Sequence, residues 1–152
     1  MAVQGHGLLL PGPTGEANRI ELRPRGRIAC VANSVAGLMA QAIVSAATGN
    51  VPVFADTAPA QSVRESLGAY PCAVVPDPLR EPVDAVLADL PPAEIMALRQ
   101  RVAARPGPIV PVIVPVSEMH YSAWRLFTER AICINTAAAG GNAALMTLDE
   151  SQ

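Results

Sequence analysis

The stretch that most constrains the fold is residues 27–55. Residues 27–32 (Arg-Ile-Ala-Cys-Val-Ala) are a short apolar run of the kind found in strands covered on both faces. Asn33 or Ser34 then offers a helix cap. Apolar residues follow at Val35, Leu38, Met39, Ala42, Ile43 and Ala46, which is the spacing of one helical face, with Gln41, Ser45 and Thr48 opposite. Gly49-Asn50 supplies the stop, and residues 51–55 read as the next strand. Strand, helix and strand in this order imply a parallel pair joined by a right-handed crossover.

The alternation continues downstream. Residues 58–67 form a weaker helical pattern closed by Gly68, and residues 72–75 a strand. After a loop at 76–82, residues 84–87 give another short strand. Pro91-Pro92 opens a helix with Ile95, Leu98 and Val102 on one face, and Arg101 and Arg105 in its last turn suit the helix dipole. Residues 109–116 are strand-like but contain Pro111 and Pro115, which cannot donate to a ladder. They belong on a sheet edge or in a flap outside the main sheet.

The two ends add further strands. Residues 18–23 alternate Ile20 and Leu22 with Arg19, Glu21 and Arg23, as a half-buried strand does. Trp124 and Phe127, three apart, predict a short helix over 122–129, and residues 131–134 read as a last strand. The expected fold is α/β: a Rossmann-like, mainly parallel sheet with helices on both faces, plus a small β-flap built from strands at about 18–23 and 109–116. Residues 1–17 are expected to be a linker, 18–148 the domain, and 149–152 a mobile tail.

Composition removes several function classes. At 152 residues the chain is long enough for one domain with its own core. Aromatics are 3% against 51% hydrophobic overall, so that core must be built from small and β-branched side chains. The net charge is −2, and Arg19, Arg23, Arg25 and Arg27 form the densest basic patch, too sparse for a nucleic-acid footprint. Three cysteines without metal or redox spacing argue against a disulfide framework or a zinc site and favour a reducing, cytoplasmic setting. The N-terminus lacks the pattern of a signal peptide, and the apolar run at 109–116 is too short to span a membrane.

Residues with chemistry are few. The turn after the first buried strand reads Ala32-Asn33-Ser34-Val35-Ala36-Gly37, with neither G-x-G-x-x-G nor a Walker lysine. Ser34 is an ordinary helix cap or, alternatively, the edge of an amide-lined phosphate site. Cys30 and Cys133 sit among strand residues where inert buried thiols are found, and Cys72 is expected to be the most exposed of the three. Glu118 and His120 are two apart in a loop and do not make a metal pair. Asp77, Asp84 and Asp89 lie at loop edges, where solvation accounts for them. No catalytic, cofactor-binding or metal-ligating residue is assigned. Asn135-Thr136-Ala137-Ala138-Ala139-Gly140-Gly141-Asn142 is different, because it carries almost no side-chain bulk. Such a segment either packs closely on another surface or presents amides to an anion, Gly140 and Gly141 being free to take positive φ.

The two ends of the chain together resemble a known family. Leu10-Pro11-Gly12-Pro13-Thr14-Gly15-Glu16, followed by Asn18 and Leu22, and the 135–146 segment ending Asn142-Ala143-Ala144-Leu145-Met146, look like the C-terminal region of proline utilization A. Asp84-Ala85-Val86-Leu87 and residues 102–110 are similar to that region as well. The resemblance covers roughly residues 9–148. It implies a non-catalytic domain of the aldehyde-dehydrogenase superfamily, with a Rossmann-like part and a β-flap, belonging to a bacterial bifunctional enzyme that takes proline to glutamate. In that family the parent enzyme uses FAD and NAD, and this domain covers the cavity through which the intermediate passes. By this resemblance, residues 135–142 are an interface or lid motif. The partners are the remaining catalytic domains of a homo-oligomeric parent, and this chain holds no cofactor of its own. The expected alternative is a nucleotide-binding module of NAD type, using amides near Ser34 or Gly140.

Overall fold

The computed structural model describes residues 7–135. By contact the described chain falls into two compact units, one spanning 24–128 and the other joining 7–23 to 129–135.

The first unit holds a five-stranded sheet of β3 (Arg27–Ala32), β4 (Val51–Ala55), β5 (Ala73–Val75), β6 (Ala85–Asp89) and β7 (Val112–Ile113). Their order is β5-β4-β3-β6-β7 and every neighbouring pair is parallel. Three helices, α1 (Val35–Ala47), α2 (Ala58–Leu67) and α3 (Pro92–Ala103), connect and cover the strands. The alternation of side chains along each strand sorts the core into two sides. Ala29, Val53, Val86 and Ala88 meet Leu98 and Val102 of α3. Cys30 and Phe54 meet Leu38 and Ala42 of α1 and Ala60 and Val63 of α2. Helices on both faces of a parallel sheet are thus what the strand pattern implied.

Local chemistry sets the element ends. Ser34 Oγ accepts from the Gly37 amide at 3.0 Å and starts α1. At the other end Gly49 adopts φ +74, its amide bonds Ala46 O, and the Asn50 amide reaches back to Ser45 O. This is a Schellman closure, which needs a residue tolerant of the left-handed region. Asn50 is fully buried and works as a joint. Its Oδ1 accepts from the Gly26 amide at 2.8 Å, while its Nδ2 donates to Thr48 Oγ1 at 2.8 Å and to Leu126 O at 3.0 Å. Pro52 is tolerated inside β4 because β5 pairs only with Val53–Ala55, beyond the proline.

Helix α1 buries Leu38 and Ala42 of the expected apolar face but departs from it elsewhere. Gln41 and Ser45 are fully buried, whereas Val35 and Ile43 are 45% and 59% exposed. The Gln41 amide nitrogen explains part of this, since it donates to Val31 O at 3.1 Å and to Tyr121 Oη at 2.8 Å. Arg105 also departs from expectation. It lies beyond the end of α3 and donates to the carbonyls of Leu79 and Glu81, holding the 77–82 loop, instead of facing the helix end.

The second unit holds an antiparallel pair, β1 (Leu8–Leu10) on β2 (Glu16–Pro24), with β8 (Phe127–Asn135) as the third strand, in the order β1-β2-β8. The flap therefore exists, but its membership differs from the sequence expectation. Residues 109–116 contribute β7, the edge strand of the main sheet, where Pro111 offers its carbonyl to the Val86 amide and needs no donor. The expected 1–17 linker instead contains β1 and the start of β2. The predicted helix over 122–129 shrinks to a 3-10 turn at Ala123–Leu126, and the last strand begins at Phe127 instead of residue 131. Leu126 drives this outcome, being fully buried against Ile28, Leu87 and Ile113 while Trp124 stays 60% exposed.

Candidate functional site

Strand order locates the place where a ligand would sit in such a fold. β4 and β5 build the sheet outward on one side of β3, and then β6 returns to the other side. Open α/β sheets bind ligands beyond the carboxyl ends of the strands at this reversal, where a helix N-terminus points at the ligand. Here that helix is α1.

Its N-terminus is already furnished with oxygens from the chain itself. Ser34 Oγ takes the Gly37 amide. Asp89, paired opposite Ala32 at the end of β6, brings its carboxylate onto Gly37. A Cβ at Gly37 would stand 2.8 Å from Asp89 Oδ2, 2.9 Å from Ala32 Cβ and 3.1 Å from Ser34 Oγ, so only glycine fits. A pyrophosphate brought to this helix end would meet a carboxylate. Glu94 adds a second acidic side chain, accepting from Asn33 Nδ2 at 3.4 Å. The residues here do not fit a dinucleotide phosphate.

A cleft of about 250 Å³ lies beside this point, lined by residues at the ends of β3 and β4 together with Asp77 and Arg101. Its polar groups are already engaged. Asp77 accepts from Arg101 at 3.2 Å and from the Leu79 amide at 3.0 Å, and Thr57 caps α2 through the Ala60 amide. Asp77, Asp84 and Asp89 are therefore more than solvated loop carboxylates, since Asp84 likewise accepts from the Arg27 amide at 2.8 Å. The sequence signal for Asp89 was the glycine one turn into α1, which makes room for it.

The buried thiol is held in its protonated form. Burial pushes the Cys30 thiol up to about 12, despite the Ser45 hydroxyl beside it, so it stays protonated at neutral pH. Tyr121 is pushed up to about 12, first by burial, with the Gln41 hydrogen bond opposing and nearby Asp89 and Cys30 adding to the rise. Cys72 is half-buried. Cys133, expected to be buried, is exposed, because most of β8 is exposed, and it replaces Cys72 as the most accessible thiol. His120 Nδ1 lies 2.7 Å from the Glu118 carbonyl in a tight turn. Among the described residues no three His, Cys, Asp or Glu side chains gather to hold a metal, and no helix is long and apolar enough to cross a membrane. Of the expected interface motif, Asn135 ends β8 and is exposed, while Thr136, Ala137, Ala138, Ala139, Gly140, Gly141 and Asn142 lie outside the described residues.

Comparison with known proteins fits this arrangement. The chain is 37% identical over 157 residues to the bifunctional protein PutA of Escherichia coli, an alignment covering 97% of this chain and 12% of that protein. The chain thus spans about an eighth of the relatives it matches. A crystal structure of proline utilization A from Bradyrhizobium japonicum superposes with a TM-score of 0.58 at 22% identity, over 72% of this chain and 13% of that one. A NAD-dependent benzaldehyde dehydrogenase from Corynebacterium glutamicum gives a TM-score of 0.53 at 17% identity, over 72% of this chain and 28% of that one. These two likenesses establish a shared fold. No family profile matches the chain.

Proposed function

We propose, from the premise that this chain is a counterpart of one segment of the bifunctional PutA proteins, that it is the non-catalytic C-terminal domain of a proline-catabolic enzyme. In this reading it covers the cavity through which the intermediate passes between a proline dehydrogenase, which holds FAD, and a semialdehyde dehydrogenase, which uses NAD. The single observation that carries the reading is the 37% identity running through nearly the whole chain and confined to an eighth of PutA. The site chemistry supports it. Asp89 seated at the α1 N-terminus would oppose a dinucleotide phosphate there, and the Cys30 thiol, held protonated, is a poor nucleophile.

Residues 135–142 serve as the contact with the dehydrogenase module, and the parent works as a cytoplasmic homo-oligomer. Deleting residues 135–152 from a full-length enzyme should slow the coupled conversion of proline to glutamate several-fold and lengthen its lag, while each half-reaction keeps its own rate. An unchanged coupled rate and lag would refute the lid. Calorimetry with NAD on the separate chain tests the alternative, since micromolar binding would make this a nucleotide-binding module.

A further inference from the structure

Helix α1 carries thirteen residues and not one charge. Its two polar side chains, Gln41 and Ser45, point inward and are fully buried. What faces outward is Val35, Ala36, Ile43 and Ala47, with Met39 half-buried beside them. The other helices of the same unit carry charged and polar side chains outside, although α3 also exposes Met96. α2 exposes Ser62, Arg64, Glu65 and Ser66, and α3 exposes Glu94, Arg99, Gln100 and Arg101. A helix against water normally keeps its polar residues outside, and one that is apolar all round is normally covered. α1 is covered on one side only.

We propose that the outer face of α1 is a docking surface for an uncharged, apolar surface on the remaining polypeptide of a PutA-type enzyme. The inference rests on the reading above that this chain is one segment of such an enzyme. Two observations select that occupant. The PutA relatives hold this segment as 12% of a chain, so seven-eighths of the polypeptide is available to cover it. The face also offers no charge to a partner, so the opposing surface must be apolar, because a charge buried there would find no counter-ion.

Hydroxyl-radical footprinting on the separate chain and on a full-length polypeptide carrying it tests this. Ile43 should be labelled about tenfold more slowly in the full-length protein, as expected for an interface core closed to solvent. Ile43→Glu should leave the thermal midpoint of the separate chain unchanged, and in the full-length protein it should restore labelling of Val35 and Met39. Should Ile43→Glu disturb α1 itself, Ala47→Arg at the exposed last turn makes the same test. Equal labelling of Ile43 in the two proteins overturns the inference. So does protection that appears in the separate chain with rising concentration, which would make the occupant a second copy. Protection of Ile43 alongside an unchanged coupled rate after deletion of 135–152 would uphold the docking and refute the lid, and the reverse pattern would do the opposite.

Discussion

The two units of this chain bury different things. In the parallel sheet, β6 places Ala85, Val86, Leu87 and Ala88 fully inside, and Phe54, Ile28 and Val53 on its neighbours are equally sealed. In the antiparallel sheet, the one buried residue among those described is Glu21. It sits between Arg19 and Arg23, whose guanidinium nitrogens approach its carboxylate at 3.1 and 3.0 Å. The first unit is a core in the ordinary sense. Among its described residues the second shows no such core, and its Leu8, Leu9 and Ile134 are 67%, 73% and 51% exposed. A three-stranded sheet without a covered apolar face is at the margin of independent stability. The difference teaches that, among the described residues, apolar burial is concentrated in the first unit.

That contrast can be attacked at graded strength. Phe54→Ala should have the largest effect, about 3–5 kcal/mol in denaturant unfolding, because it empties a fully buried site between α1 and α2. A loss below 1 kcal/mol would show that the parallel sheet is not the stable part. The cysteines come next. Cys30 is protonated in the fold up to about 12 but ionises near 9.0 when exposed, so unfolding releases its proton between those values. Its contribution is intact below 9.0 and is lost as pH rises toward 12, and Tyr121 acts in the same direction from 10.0. The thermal midpoint should therefore fall across this window, and Cys30→Ala should flatten the fall. At neutral pH a maleimide should label Cys133 at once and Cys30 only after unfolding, and equal rates would break the comparison. Glu21→Gln should be the mildest, about 1 kcal/mol or less, since Arg19 and Arg23 are half-exposed and water replaces the lost partner.

Much of the parallel unit was legible in the chain. The cap at Asn33 or Ser34, the stops at Gly49 and Gly68, and the apolar runs of β3, β4 and β6 are local signals and stand in the structure, with Ser34 as the cap, whereas the Thr57 cap of α2 is absent from the sequence expectation. What sequence spacing could not show was tertiary. Gln41 and Ser45 look like an outer face until Val31 and, eighty residues on, Tyr121 supply inner contacts for Gln41. The aromatic spacing at Trp124 and Phe127 suggested a helix, but Leu126 between them is the anchor that enters the core. The prolines of residues 109–116 forbid a central strand and leave a sheet edge or the flap, and tertiary pairing with β6 selects the edge over the expected flap. Asp89 is the clearest case of a site feature hidden by sequence, because its meaning depends on being brought beside Gly37 from more than fifty residues away.

The joint at Asn50 has a topological consequence. Arg25 and Leu126 meet through the amide-to-carbonyl bond at 3.1 Å, Arg25 Nε reaches the Arg125 carbonyl at 2.7 Å, and Asn50 ties Gly26 and Leu126 to the same spot. The entry and exit of the parallel unit are thus clasped side by side, a hundred residues apart in the chain. In chain order the unit is an insert, with residues of the second unit before and after it. Its two ends lie close enough for a brief linker to join them, which makes the unit the natural choice for circular permutation.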